Sequence, residues 1–358
     1  PKFHVGDDGS LGERNDVFCS GLEHKLGIHA SPTCTMIYGD GKFGDEPGAI
    51  GWLIGEENKG LACMFTMMNN ARLAVGIEGV AVAEAARQKA VEYANERRQG
   101  KAPGWSGEGM SPIVLHPDVR RDLLTMTGLT RAARSICYAC AHAIDMSRAH
   151  EGDEAKFWHE RASLLTPIAK AFSTDIGSQV ASLGVQVHGG MGFIEETGAA
   201  IFMRDARIAQ IYEGTNGIQA IDLVMRKLPQ SDGACVAAWF DELDATIAEL
   251  AASNNPAFGA SAERLKQAME ELRGATDSLS AMLHEGDTAG ALAGATPYLK
   301  LAGDVIGGFV LARQALAAAG SDDPWMQARL PLLRLYGAQV LAGAGGLVAA
   351  VAHGAAEP

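Results

Sequence analysis

Apolar positions repeat at helical spacing over most of this chain. Between Lys59 and Arg98 they recur about every three to four residues with few helix breakers, which predicts one long helix. The same spacing predicts helices over residues 119–151 and 154–183. Pro117 would lie near the first turn of the earlier helix, and Pro167 would kink the later one. The pattern therefore predicts a bundle of long helices.

The two ends of the chain differ from this bundle. Residues 1–58 are rich in turn formers and contain three short β-prone runs, Phe3–Val5, Thr33–Tyr38 and Ile50–Ile54. Because these runs are too short to complete a β domain, we expect more of the sheet ahead of Pro1. After a linker at 228–233, helical periods return over residues 235–252, 258–284, 286–318 and 323–353. We predict a mainly α protein in three parts: a partial β domain at 1–58, a helical bundle at 59–229 and a second helical domain at 230–358.

Composition narrows the classes of function. The 358 residues carry a net charge of −13, with 43 acidic against 30 basic side chains, which argues against a nucleic-acid-binding surface. The six cysteines are scattered, and the Cys137-Tyr-Ala-Cys140 pair has no second pair to complete a zinc site, so we expect reduced core residues, no metal and a cytoplasmic location. The apolar run Leu335–Ala352 is mostly Ala and Gly, which favours a buried, tightly packed helix over a membrane span.

The stretch Gln186–Gln219 concentrates the candidate chemistry. Two glycine-rich turns bracket a short helix, and a lone carboxylate, Glu213, lies in the second turn. Asn216-Gly217 ahead of a new apolar run predicts a helix start, whose outward N–H groups can hold a phosphate beside a catalytic base. Ordinary capping of that helix by Thr215 or Asn216, with Glu213 solvated, explains the same residues, and the local pattern leaves both interpretations open.

A family resemblance adds to this pattern. Its motifs occur in one order between about residues 20 and 230, namely Glu23–Thr33, Gly55–Gly60, Met68–Arg72, Glu96-Arg97, Gln186–Phe193, Arg204–Ala206 and Tyr212–Thr215. In these motifs the chain resembles the acyl-CoA dehydrogenases. The further helices after residue 230 are similar to the larger subgroup with an extra C-terminal helical domain, which includes 3-(methylthio)propanoyl-CoA dehydrogenases.

The resemblance implies a reaction and a base. In this family FAD takes a hydride from the β-carbon of an acyl-CoA while a carboxylate removes the α-proton, giving the trans-2-enoyl-CoA. The Tyr-Glu-Gly-Thr motif assigns that base to Glu213, and Gly214 would leave room for the thioester. A proton next to a thioester is only weakly acidic, so we expect the base to be partly removed from water.

The resemblance also assigns the FAD contacts to two subunits. Residues that grip the diphosphate and adenine across a dimer interface correspond to Arg97, Gln186, Gly189 and Gly190. Those that lie against the same cofactor, from the subunit supplying Glu213, correspond to Thr215 and Gly217. An arginine fork and glycine N–H groups suit a diphosphate, so FAD binding should require a homodimer or a higher homo-oligomer.

Several expectations concern partners. Arg72 resembles the arginine that helps hold the acyl-CoA, and Asn69 lies nearby where many relatives have an acid; a helix-surface charge is the alternative for Arg72. At Arg98–Gly100 the chain departs from relatives that carry a hydroxyl and an aromatic residue, so the diphosphate cradle is expected to differ. The electron acceptor would be an electron-transfer flavoprotein, or oxygen in an acyl-CoA oxidase.

A different class of function also fits the helical pattern. The chain can be a helical binding or assembly module, or a relative that associates with DNA, although its acidity and intact Tyr-Glu-Gly-Thr motif disfavour both. The family's N-terminal helical domain and the first half of its β domain have no counterpart in these residues. We therefore expect this chain alone to be inactive.

Overall fold

The structure is a computed structural model that describes residues 1–44 and 46–353. Within that range, the side chains of Phe65, Thr66 and Asn69 lie outside the described residues. The chain divides into two compact units at the junction between Met68 and Asn69. The first unit holds the strands and the second is helical, so the prediction of a mainly α chain with a small β remnant is confirmed.

The N-terminal unit contains two separate antiparallel strand pairs. Its strands are β1 (Phe3–Val5), β2 (Leu11–Arg14), β3 (Val17–Leu22) and β4 (Cys34–Tyr38). β1 pairs with β2, and β3 pairs with β4 in a register that sets Val17 opposite Tyr38. The runs Phe3–Val5 and Thr33–Tyr38 were therefore predicted correctly as strands, the second starting at Cys34.

The predicted strand Ile50–Ile54 is wrong, because these residues form irregular backbone. The side-chain amide of Asn15 hydrogen-bonds both backbone groups of Ile50. Its Nδ2 donates to the Ile50 carbonyl at 2.9 Å, and its Oδ1 accepts from the Ile50 N–H at 3.0 Å. No described strand pairs with the rest of the run, and Ile54 is 87% exposed. β-branched residues alone do not form a strand without a partner.

Three long helices form the first part of the helical unit. They are α1 (Gly60–Glu96), α2 (Pro117–Ala149) and α3 (Gly152–His188), close to the predicted bounds. Pro117 occupies the first turn of α2, where its missing N–H costs no hydrogen bond. Pro167 lies inside α3, which continues past the predicted end at Leu183 to His188.

Small residues bring α1 and α3 into close contact. A Cβ atom added at Gly79 would lie 2.5 Å from the carbonyl oxygen of Ser173, and one added at Gly76 would lie 2.6 Å from that of Ala169. Both positions therefore require glycine for this approach. Large side chains of α2 and α3 belong to one buried core, among them Met126, Ile136, Leu164, Ile168 and Phe172.

Shorter elements follow α3 and carry the candidate chemistry. A 3₁₀ turn covers Gly189–Phe193, and α4 (Ala199–Ala209) leads to the loop that contains Glu213. The next helix, α5 (Asn216–Asp222), continues into a π turn at Leu223–Lys227, so the helix start predicted at Asn216-Gly217 is confirmed.

The remaining helices pack around α8. They are α6 (Ala234–Ala252), α7 (Ser261–His284), α8 (Thr288–Ala318), α9 (Pro324–Gln327), α10 (Arg329–Gln339) and α11 (Ala344–His353). A Cβ at Gly303 of α8 would overlap the Phe172 ring of α3, and one at Gly307 would overlap the Tyr336 hydroxyl of α10. Through these glycines α8 packs against both the first bundle and the C-terminal helices.

The segment 323–353 is not the continuous helix that its pattern predicts. It breaks at Val340, where a 3₁₀ turn over Leu341–Gly343 separates α10 from α11, and many of its residues are exposed. The buried single helix predicted for Leu335–Ala352 is therefore wrong. Gly343, Gly345 and Gly346 follow one another closely here, and glycine costs about 1 kcal/mol relative to alanine in a helix interior.

Among the described residues, two stretches are long and apolar enough to cross a membrane by length and composition. In Thr288–Ala318, 67% of the most apolar window is buried inside the protein, which accounts for its composition as a core helix. In Pro324–His353 the corresponding share is 28%, and this stretch comprises α9 to α11 rather than one helix.

The cysteines only partly follow the expectation of reduced core residues. Cys137 and Cys140 are free and buried between α2 and α3, and burial raises the pKa of Cys137 to about 12 and that of Cys140 to about 11. Cys19, Cys34 and Cys63 are free but exposed, so a core location is wrong for these three.

Candidate functional site

The loop between α4 and α5 holds Glu213 in an unusual backbone conformation. Its φ is +53°, and Gly214 follows at +82°. A left-handed conformation is costly for a residue other than glycine and is concentrated at functional sites. The Glu213 side chain is half-buried, and no hydrogen bond to its carboxylate exists among the described residues. Its carboxylate is therefore partly removed from water and available to accept a proton.

Gln219 fixes the shape of this loop. Its fully buried side chain donates from Nε2 to the carbonyls of Glu213 at 3.4 Å and Gly214 at 3.3 Å. A Cβ at Gly214 would lie 2.8 Å from this Nε2, so a side chain at Gly214 would displace the amide as well as strain the backbone. Thr215 caps α5, because its Oγ1 accepts from the Ile218 N–H at 3.3 Å. Thr215 therefore caps α5 as one interpretation expected, and Glu213 also has an unusual backbone conformation.

A buried lysine supports the loop from below. Lys170 of α3 is fully buried, and its Nζ donates to Asn216 Oδ1 at 2.8 Å. Asn216 in turn donates from Nδ2 to Thr174 at 3.0 Å and to the Asp175 carboxylate at 2.8 Å. Burial lowers the pKa of Lys170 to about 8, against the opposing carboxylates of Asp175 and Glu213. Lys170 was not predicted as a site residue, although a lysine inside the apolar run 167–172 indicates a buried charge.

Tyr212 joins the same loop to α1. Its hydroxyl donates to the carboxylate of Glu78. Burial and this carboxylate raise the pKa of Tyr212 well above its ordinary value, so the phenol keeps its proton and remains a donor. The residue before Glu213 is thus held by α1, and the residues after it are held by α3 and Gln219.

Arg72 is buried and paired rather than exposed on the helix surface. It is 8% exposed, and its Nη1 donates to Asp222 Oδ2 at 3.1 Å. Asp222, at 2% exposure, also accepts from Arg226 Nε at 2.6 Å and lies 3.9 Å from Lys227 Nζ. Arg72 Nε is buried without a partner, so this guanidinium keeps an unused donor. The side chain of Asn69 lies outside the described residues.

The first glycine turn and the end of α1 enclose a cavity. Its volume is about 310 Å³, and its lining consists of Tyr93, Arg97, Gln99, Ile113, Val187, His188, Gly189, Gly190 and Met191. We call it the Arg97 cavity. Gly189 has a φ of +58°, and a Cβ at Gly189 or Gly190 would meet open space, so a ligand can approach this backbone closely. The Arg97 guanidinium is exposed, and among the described residues its one side-chain hydrogen bond is to Gln99 Oε1, at 3.5 Å.

His188 anchors this turn as a neutral ring. It stacks on Tyr93 with ring centroids 4.4 Å apart, and its Nδ1 lies 2.7 Å from the Gly184 carbonyl. Burial lowers the pKa of His188, which favours the neutral imidazole. Gln186, expected in the turn, instead lies exposed on the last turn of α3 and does not line the cavity. A guanidinium beside open glycine N–H groups fits a diphosphate.

The predicted site residues therefore fall into two groups. Arg97, Gly189 and Gly190 come together at the Arg97 cavity, with Gln186 one turn away. Thr215 and Gly217 lie exposed at the start of α5, directly after Glu213 and Gly214. Neither Glu213 nor its neighbours line the Arg97 cavity.

Exposed apolar side chains surround the glycine turn and continue onto α4. They are Met191, Phe193, Ile194, Ile201 and Met203, and Phe193 is 87% exposed. A concentration of large apolar groups at a surface is typical of an interface with another protein. The surface next to the Arg97 cavity is therefore suited to contact with a second chain.

Comparison with known proteins gives two matches to family models and several relatives. Residues 58–228 match the model described as acyl-CoA dehydrogenase, C-terminal domain, and residues 239–357 match that described as acetyl-CoA dehydrogenase C-terminal like. The chain is 42% identical over 351 residues to the 3-methylmercaptopropionyl-CoA dehydrogenase of Ruegeria pomeroyi, and 34% identical over 326 residues to a butyryl-CoA dehydrogenase of Syntrophomonas wolfei. These alignments cover 95% and 89% of this chain but only 57% and 52% of the relatives.

A solved structure shares the fold. The acyl-CoA dehydrogenase of Bacillus anthracis, crystallised with FAD, matches with a TM-score of 0.72 and 20% sequence identity, over 96% of this chain and 59% of that chain. The two domain models follow one another in this sequence as the two sets of helices follow one another in the fold. Because both C-terminal domain models match in sequence order and both relatives are acyl-CoA dehydrogenases, the chain belongs to the acyl-CoA dehydrogenase family.

Proposed function

We propose that the protein to which this chain belongs catalyses the α,β-dehydrogenation of an acyl-CoA to its trans-2-enoyl-CoA. Glu213 is the base that removes the α-proton. The observation that carries this assignment is a half-buried carboxylate without a hydrogen-bond partner among the described residues, in a left-handed backbone conformation. A base needs a free lone pair at a fixed position, and Gln219 and Asn216 fix the backbone around it.

FAD is the proposed cofactor, and when bound it supplies the acceptor for the hydride from the β-carbon. The Arg97 guanidinium and the N–H groups of Gly189 and Gly190 would hold its diphosphate, with Gln186 at the margin toward the adenine. Thr215 and Gly217 would lie against the flavin that reacts at Glu213. Because the two groups of residues lie in different parts of the fold, we propose that each cofactor is shared by two chains of a homodimer or a higher homo-oligomer.

The exposed apolar side chains around the glycine turn support this assembly. They extend from Met191 to Met203 and adjoin the Arg97 cavity. A second chain covering them would remove apolar surface from water, at about 25 cal/mol for each Å² buried. The domain division at residues 58 and 229 is part of the proposal, with the helices after 230 packing on the bundle through α8.

Arg72, Asn69 and Gly214 are the proposed substrate contacts. The unused Nε of Arg72 is a donor for a polar group of the acyl-CoA, and Gly214 leaves space beside Glu213 for the thioester. Relatives named for 3-methylmercaptopropionyl-CoA and butyryl-CoA make short acyl chains the first substrates to try. The proposed acceptor is an electron-transfer flavoprotein; fast reoxidation by oxygen would instead identify an acyl-CoA oxidase.

Anaerobic mixing with an acyl-CoA tests the proposal. When butyryl-CoA or 3-methylmercaptopropionyl-CoA is added to the complete protein, purified with FAD, the absorbance of the oxidised flavin should disappear. The enoyl-CoA should appear in equal amount. A saturated ether analogue that lacks an acidic α-proton is the control. Full retention of the oxidised spectrum with acyl-CoAs of every chain length tried would contradict the activity.

Cofactor retention tests the Arg97 cavity. Arg97→Gln should weaken FAD binding about tenfold or more, because a charge-assisted hydrogen bond is worth about 1.5–3 kcal/mol. Flavin content after dialysis measures the effect. Arg120→Gln is the matched control, because Arg120 is also an exposed arginine but lies on α2 outside the cavity. Equal flavin content in the two variants would show that Arg97 does not hold the cofactor.

A further inference from the structure

A second charged cavity lies between α1, α2 and α10. Arg87 comes from α1, Arg131 and Arg134 come from α2, and Arg329 comes from α10; the carboxylate among them is Glu84. The volume is about 390 Å³, and the remaining lining residues are Thr127, Ser135, Tyr138, Gln314 and Trp325. We call it the arginine pocket. It shares no lining residue with the Arg97 cavity or the Glu213 loop.

The single carboxylate is fully used by two of the arginines. Glu84 binds Arg87 at 2.5 Å through Oε1 and Arg134 at 2.9 Å through Oε2. Burial acts to raise the pKa of Glu84, but the hydrogen bonds from Arg87, Gln88 and Arg134 lower it to about 2, so the group is ionised. Four guanidinium groups therefore meet one negative charge, and positive charge remains in excess.

Within residues 1–44 and 46–353, the other two arginines have no carboxylate partner. Arg329 lies over the Trp325 ring, 3.6 Å from its centroid, and donates to the Trp325 carbonyl. Arg131 is half-buried, and in the part of the chain that the structure describes its guanidinium makes no ion pair and no hydrogen bond. Burial lowers the pKa of Arg131, and the like charges of Arg329 and Arg87 lower it further. Because Glu84 offsets only one of the four positive charges, the remaining charges repel one another.

This excess is unusual for the composition of the chain. The whole sequence has a net charge of −13, so carboxylates are abundant, yet among the residues that the structure describes Glu84 alone of them lines this cavity. Guanidinium groups from three helices line one concave site, and each guanidinium carries a fork of donors that matches phosphate oxygens. Tyr138 and Trp325 add exposed aromatic surfaces at the rim, against which a planar group can stack.

We propose that the arginine pocket binds a small molecule carrying a diphosphate group. The volume exceeds what one phosphate needs, and the charge excess calls for more than one negative charge. Inorganic diphosphate and a nucleoside diphosphate share this chemistry; the aromatic rim favours the nucleotide. The ligand would neutralise Arg131 and Arg329 and hold α10 against α1 and α2. This inference is independent of the proposed dehydrogenase reaction.

Calorimetric titration of the complete, FAD-loaded protein tests the proposal. Inorganic diphosphate and ADP should both bind, adenosine should not, and the affinity should fall as salt is raised. ADP binding more tightly than diphosphate would identify a nucleotide as the ligand, and equal affinities would identify the diphosphate group alone. Arg131→Gln should weaken both at least tenfold. Arg148→Gln, which changes an exposed arginine on the same helix, should leave both affinities unchanged.

Thermal unfolding provides a second readout that does not depend on catalysis. Without ligand, Arg131→Gln should match or exceed the wild-type Tm, because it removes a repelled charge and breaks no recorded bond. With saturating diphosphate the wild type should gain several degrees and the variant should not. Absence of binding by the wild type at millimolar diphosphate, or wild-type affinity in Arg131→Gln, would overturn the proposal.

Discussion

Replacing Glu213 with glutamine should lower the rate of flavin reduction by acyl-CoA by about 10²–10⁴-fold, the range that a positioned general base contributes. The amide has the same size as the carboxylate but cannot accept the α-proton. Because the Glu213 carboxylate has no hydrogen bond within the described residues, the substitution breaks no recorded contact, and folding and flavin content should stay at the wild-type level. Stopped-flow absorbance under anaerobic conditions measures the rate directly.

A second glutamate separates the role of the base from a general charge effect. Glu196 is exposed in the turn before α4, and Glu196→Gln removes the same charge from the same region of sequence. It should reduce the flavin at the wild-type rate. A Glu213→Gln protein that also does so would exclude Glu213 as the base while leaving the family assignment intact.

Replacing Asp222 with asparagine should lower the free energy of unfolding by about 3–5 kcal/mol, the cost of leaving a buried charge without its partner. Asp222 accepts from both Arg72 and Arg226, and the side chain of Arg72 is only 10% exposed. Asparagine has nearly the same shape, so the loss would come from the missing charge rather than from a cavity. The shift of the denaturant midpoint, followed by circular dichroism, measures it.

A surface pair provides the comparison for Asp222. Asp244 bonds Arg273 at 2.5 Å, but these side chains are 52% and 37% exposed, and such pairs contribute about 0–1 kcal/mol. Asp244→Asn should therefore change the midpoint little. Equal shifts in the two variants would show that Arg72 finds water or another partner when Asp222 is neutral.

The long helices could be predicted because their information is local. The spacing of apolar residues, together with Pro117, predicted bounds for α1, α2 and α3 that lie close to the observed ones. The grouping of Arg97 with Gly189 and Gly190 followed from the resemblance, since these residues lie far apart in sequence. Periodicity alone would not have joined them.

The contacts that hold the candidate site were not predictable in the same way. Lys170 and Asp222 look like ordinary charged residues in helical patterns, and only the packing of α3 and α5 shows that both are buried. The strand prediction for Ile50–Ile54 was wrong for a related reason. The side chain of Asn15, distant in sequence, hydrogen-bonds the backbone groups of Ile50 that a strand would need. In each case the deciding partner lies many residues away.

The third helix also sets a distance between the two groups of site residues. Lys170 supports the Glu213 loop and His188 supports the Arg97 cavity, and both belong to α3. At a rise of about 1.5 Å per residue, the intervening helix is about 27 Å long. α3 thus holds the two groups of site residues at a fixed separation. In the proposed dimer each chain would donate its base to one flavin and its arginine to the other, so the length of this helix would fix the spacing between the two reaction centres.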